Sequence, residues 1–103
     1  MFKMIILLRK KENLSDEEFS RYFLKVHAPL AKKMPLLRKY VANLVRRPPN
    51  REPDYNGVAE LWFDDTDSMK KAFAAPEGQA TQEDSDKFTS GTVTMFIDEH
   101  PIL

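Results

Sequence analysis

Four strand-like stretches and two helix-like stretches run along this chain in the order strand, helix, strand, strand, helix, strand, and few folds accept that order. Residues 2–8, apolar except for Lys3, read as a buried strand. Ser15 and Glu18 make a capping-box signature, after which Phe19, Tyr22, Phe23, Val26, Leu30 and Met34 recur at three- and four-residue spacing. Pro29 lies inside that helix, where it has no N–H to donate and its ring crowds the preceding turn. The helix is expected to kink near residues 25–28, or to restart with Pro29 as its first residue, and to end at Pro35. Residues 37–45 and 57–64 read as strands two and three, joined by a proline-rich loop over 46–54 that is too long for a tight hairpin. Thr66 or Asp67 caps a second helix over 68–75, Pro76-Glu77-Gly78 interrupts it, 79–88 is a further helical piece, and 91–98 is the last strand. The split βαβ order predicts a ferredoxin-like α+β sandwich, one domain over residues 1–103, with both helices on one face of an antiparallel sheet.

Helices on one face leave the other to water, and the strands should then alternate apolar and polar. They do not. Ile5 and Leu7 oppose Phe2, Met4, Ile6 and Leu8; Val58 and Trp62 flank Glu60 opposite Ala59, Leu61 and Phe63; Val93, Met95 and Ile97 oppose Phe96. Apolar residues on both faces predict a second cover, most simply the same sheet from another copy packed face to face.

Composition excludes several classes. Sixteen basic residues balance sixteen acidic ones, so no positive surplus exists to neutralise nucleic-acid phosphates. The chain contains no cysteine, which removes disulfides, thiolate metal sites and cysteine nucleophiles. Two histidines are too few for a dedicated histidine metal site. The longest apolar run, residues 4–8, is far short of a membrane span, and no signal peptide is read at the start. A cytoplasmic protein without cofactor, metal, nucleic-acid or membrane partner is the expectation.

His27 is the foremost candidate for chemistry, because imidazole exchanges protons near neutral pH. Helix geometry sets it beside Phe23, Leu30 and Met34, facing inward and to one side. The structural reading is a half-buried ring bonded to the Lys25 carbonyl, which Pro29 leaves free; the functional one is a general acid or base in a pocket. Glu60, mid-strand between Val58 and Trp62, is costly to bury unpaired. It is either one half of an ion pair at an interface or edge, or a pocket carboxylate that orients His27. Tyr22, Phe23, Tyr40 and Trp62 read as core or interface residues that could also wall a substrate pocket. Asn43, on the same strand face as Val41 and Val45, is structural or a substrate contact.

Three blocks carry a resemblance. Residues 14–19 leading into Val26-His27-Ala28-Pro29-Leu30 and then Met34 to Tyr40, residues 55–64 with Glu60-Leu61-Trp62-Phe63, and the closing Asp98-Glu99-His100 together resemble the EthD-like family over nearly the whole chain. The resemblance implies a ferredoxin-like protomer that pairs into a dimeric α+β barrel. It also implies a small organic substrate held between sheet and helices, with a histidine or carboxylate as proton shuttle. Schemes that use a thiol do not transfer, since this chain has none. The function expected from residues and resemblance together is a cofactor-free enzyme of small-molecule catabolism or secondary metabolism. It would isomerise, cyclise or dehydrate a carbonyl, lactone or polyketide-like substrate, with His27 as acid or base and Glu60 as orienter. A cofactor-free oxygenase, an accessory of oxidative ether degradation, and a non-catalytic dimeric carrier of a small hydrophobic ligand are the alternatives.

Overall fold

The computed structural model describes residues 1–103. Its elements are β1 (Phe2–Lys10), α1 (Asp16–Tyr22), a π-helical turn (Phe23–His27), α2 (Ala28–Ala31), β2 (Lys39–Leu44), β3 (Gly57–Phe63), α3 (Thr66–Ala74), α4 (Pro76–Phe88) and β4 (Thr89–Ile97). The four strands form one sheet in the order β2-β3-β1-β4, with every neighbouring pair antiparallel. This is the ferredoxin-like α+β arrangement. The sheet is open, so a closed barrel would need a second copy.

Register fixes which side chains meet the helices. Met4 pairs with Leu61, Ile6 with Ala59 and Leu8 with Gly57, and Tyr40 of β2 pairs with Leu61. Those inward residues pack on Phe19, Phe23, Met34, Met69, Ala72 and Phe88 to make the core. Phe88 is its hub: the rings of His27, Tyr22, Phe19 and Phe23 lie 4.8, 4.9, 5.4 and 6.0 Å from it, distances at which aromatic pairs attract.

Local signals explain the element ends. The Ser15–Glu18 capping box forms, each side chain bonding the other's backbone N–H at 3.0 and 2.9 Å. The helix then ends at Ala31 rather than Pro35. Pro29 is the second residue of α2, and the chain accommodates its ring by widening the turn before it: the Ala28 N–H reaches back to the Phe23 carbonyl, one residue further than in an α-helix. Asp65, not Thr66 or Asp67, caps α3 through the Ser68 N–H at 2.7 Å. Pro76-Glu77-Gly78 begins α4 instead of interrupting a helix, with Pro76 in the first turn, where its missing N–H costs nothing.

Candidate active site

The π-helical turn delivers His27 into the core and α4 delivers its partner. Both His27 and Asp84 are only 5 % exposed. Nδ1 of His27 lies 2.9 Å from Oδ2 of Asp84, the Tyr22 hydroxyl donates to Oδ1 at 2.7 Å, and the exposed Lys87 ammonium is 4.0 Å from the same oxygen. A carboxylate surrounded by donors acts as acceptor throughout. The Nδ1–H is therefore donated to Asp84, and Nε2, which has no partner in the chain, is the ring nitrogen a ligand can use.

His27 lines a cavity of about 50 Å³ between sheet and helices, together with Ile6, Leu61 and Phe73 on its apolar side and Thr81 and Ser85 of α4. Tyr40 lines it too, and the Tyr40 hydroxyl is buried without a hydrogen-bond partner. Burial pushes this phenol up to about 12, so it keeps its proton at any ordinary pH and can only be a donor or a neutral acceptor. Tyr22 is likewise pushed up to about 12, by burial and then by its bond to Asp84. One cavity is thus lined by His27, whose Nδ1 is bonded to Asp84, and by Tyr40, whose hydroxyl has no partner, among apolar walls.

Of the residues singled out in the sequence, His27 and Tyr40 line this cavity, Tyr22 braces Asp84, and Phe23 is core. Glu60, Trp62 and Asn43 lie elsewhere. In β3 the residues Gly57, Ala59, Leu61 and Phe63 are buried on the helix side, so Glu60 and Trp62 occupy the opposite face. The expectation that Glu60 orients His27 is thereby corrected. Glu60 Oε2 instead pairs with the Lys3 ammonium at 2.8 Å, and Oε1 accepts from the Asn43 amide at 2.9 Å. Lys3 also bonds Glu99 at 2.9 Å and sits 4.7 Å over the Trp62 ring. The Lys3 bonds hold Glu60 and Glu99 below the usual carboxylate range and raise Lys3 itself. Nor does the imidazole use the Lys25 carbonyl, since its Nδ1 is taken by Asp84.

Asp84 is the residue that sequence reasoning missed. The buried positions of α4 are Gly78, Thr81, Asp84 and Phe88, a helical stripe built mostly of small or polar residues. Its hydrophobic period is faint, and the inward carboxylate does not stand out. The available signal was the spacing itself, which puts Asp84 one turn before Phe88.

The EthD domain model matches residues 11–92 of this chain. The chain belongs to the EthD family. It is 33 % identical over 86 residues to an uncharacterised 11.0 kDa protein in the thcB-thcC intergenic region of Rhodococcus erythropolis, a match covering 82 % of this chain and 84 % of that one. Its structure superposes on the crystal structure of an EthD-family protein from Bacillus halodurans C-125 with a TM-score of 0.84 and 29 % identity, covering 97 % and 99 % of the two chains. More distant structures share the fold. A dimeric protein of unknown function and ferredoxin-like fold from Bacteroides fragilis matches this EthD chain at TM-score 0.72 and 18 % identity over 95 % of each chain. SnoaB, a cofactor-independent oxygenase from Streptomyces nogalater, matches at 0.69 and 16 % identity over 99 % and 95 %.

Proposed function

We propose that this EthD-family chain catalyses cofactor-independent proton transfer on a small substrate with an enolisable carbonyl. The observation that carries the reading is that His27, bonded to the buried Asp84, lines one cavity with Tyr40, whose buried hydroxyl has no partner. His27 Nε2 removes the proton from the carbon next to the carbonyl. The carbonyl oxygen, which gains negative charge as the bond breaks, accepts from Tyr40 O–H. Asp84 holds the ring in the productive tautomer and stabilises the imidazolium that forms. Return of the proton to another carbon isomerises the substrate, expulsion of a β-hydroxyl dehydrates it, and attack of the enolate carbon on a second carbonyl cyclises it. Tyr22 is a positioning residue, acting through Asp84; Glu60, Asn43 and Trp62 take no part in the chemistry.

The experiment is hydrogen–deuterium exchange at C2 of ethyl acetoacetate in D2O, followed by proton NMR. Wild-type protein should accelerate exchange above buffer, and His27→Ala should reduce that acceleration by roughly 10²–10⁴-fold. Equal exchange with both proteins would refute the reading. SnoaB keeps an oxygenase reading in play, because deprotonation of an electron-rich substrate could equally precede attack on O2; oxygen consumption dependent on His27 would favour it.

We also infer that a second copy covers the outer sheet face. Val93 and Met95 are 40 % and 38 % exposed there, beside their partners Leu7 and Ile5 on β1, and the Bacteroides relative of the same fold is dimeric. On this reading Lys3, Glu60 and Asn43 form a polar seam that sets the register between copies.

A further inference from the structure

We propose that the substrate of the His27 cavity reaches it through the cleft between α4 and β4, and that it bears a hydrogen-bond-donating, non-anionic tail that stays in that cleft. The inference rests on the reading of His27 as the base and adds the route and the substrate class.

Size makes the first argument. Sites for organic ligands usually span roughly 300–1,000 Å³, and the His27 cavity is only about 50 Å³. It holds a reacting carbonyl and little else. The cleft outside it is about 400 Å³. Cavity and cleft share four wall residues, Ile6, Phe73, Gln82 and Ser85, so the two adjoin along that wall. The other large groove, about 470 Å³ beside α2, shares only Tyr40 with the cavity. Two of its cations are already engaged, Arg38 with Asp64 at 2.9 and 3.0 Å and Lys39 over Trp62 at 4.7 Å.

Chemistry makes the second. The hydroxyls of Ser85, Thr89 and Ser90 on the cleft wall spend their protons on backbone carbonyls: Ser85 on Thr81 at 3.4 Å, Thr89 on Ser85 at 2.7 Å, Ser90 on Arg9 and Lys10 at 3.4 and 3.3 Å. What such oxygens offer a ligand is lone pairs, which call for a donor. Asp86 on the same wall disfavours an anion. The tail is therefore a donor, an alcohol, amide or amine, rather than a carboxylate or phosphate. Thr92 and Thr94 close the other side from β4, opposite Leu8 and Ile6 in the ladder.

The test uses 2-hydroxyethyl acetoacetate and propyl acetoacetate, which differ only in a terminal hydroxyl or methyl. Binding is read from backbone amide shifts in ¹H–¹⁵N spectra and, separately, from C2 exchange. The hydroxyethyl ester should bind about fivefold more tightly, the size of one neutral hydrogen bond, with shifts at residues 82–94 around the tail and at Ile6, His27, Tyr40 and Phe73 around the head. Ser85→Ala should narrow that preference. Thr94→Trp, an exposed strand position that tolerates an aromatic, should fill the cleft and weaken both esters at least tenfold while thermal unfolding stays cooperative. Shifts centred on Leu24, Lys32 and Arg38, no shifts with either ester at millimolar concentration, a preference for propyl, or unaltered binding by Thr94→Trp would each overturn the proposal. His27→Ala keeps the two ideas apart: loss of exchange with the shifts retained supports both, whereas shifts and preference without any His27-dependent exchange leave the cleft assignment standing and remove the base.

Discussion

The Tyr40 hydroxyl is the one buried side-chain polar atom without a partner inside the chain. Leaving a buried donor unmatched costs about 1–3 kcal/mol, so folding by itself gives no reason to keep it. Tyr40→Phe should therefore hold stability or raise it by about 1 kcal/mol in urea unfolding, while His27-dependent exchange falls; a clear loss of stability would mean that the hydroxyl is structural. Alkaline pH gives a second reading of the same group. Burial raises Tyr40 from 10.0 to about 12 in the folded chain, so its share of stability is whole below pH 10 and is lost as pH climbs towards 12. The phenylalanine variant should lose less stability than wild type across that interval. Single residues were unevenly legible in the sequence. The inward facing of His27 follows from helical spacing, and the tyrosine tip from chemistry. The partner of His27 does not, because period-two alternation in β3 says that Glu60 and Leu61 face apart without saying which of them meets the helices.

At the scale of elements, the site depends on two departures from regular helix. Before Pro29 the backbone widens into one π-helical turn, which relieves the clash of the ring with the Lys25 carbonyl and swings His27 towards α4. Between α3 and α4 the chain turns so tightly that a Cβ on Gly78 would lie 2.2 Å from the Ala72 carbonyl oxygen and 2.5 Å from the Phe73 Cα. Those neighbours are backbone and cannot rotate away. Gly78→Ala should destabilise the fold by at least about 1–3 kcal/mol and, because α4 carries Asp84, should also shift the His27 ring resonances in ¹⁵N spectra. A variant of wild-type stability would show that the corner relaxes freely. The kink at Pro29 was readable because proline's constraint is local. The start of α4 was not, since a proline and a glycine close together read as breakers until their positions are known: one lies in the first turn and the other at a crowded crossing.

The whole molecule is a sheet with one face committed to the helices and the other holding apolar side chains around a charged seam. If a second copy covers that face, Leu7→Glu buries a charge in the interface. Its mass by light scattering should then fall to the 12.0 kDa of one chain, against twice that for wild type; a wild-type mass of one chain would sink the dimer, and twice that mass for both proteins would sink this face as its interface. The apolar side of this argument was visible in the strand sequences, whereas the seam needed the β1–β3 register that sets Lys3 opposite Trp62 and two rungs from Glu60, on the same face. Lys3 is 8 % exposed, too deep for a surface lysine unless its charge is matched, and its bonds to Glu60 and Glu99 match it. Linkage then gives a shape for stability against pH. Glu60 and Glu99 are held below their ordinary 4.5, so their contribution is complete above that value and drains away as pH falls through the lowered ones. Lys3 is held above its ordinary 10.5, so its share is complete below that value and is lost as pH rises through the raised one. Lys3→Met keeps the length of the buried stem and removes the charge that both carboxylates depend on. Urea midpoints measured from neutral pH into acid should fall less steeply for this variant than for wild type, even though it starts lower, because its carboxylates titrate nearer their unfolded values. Parallel acid limbs in the two proteins would mean that the Lys3 seam contributes nothing to acid stability.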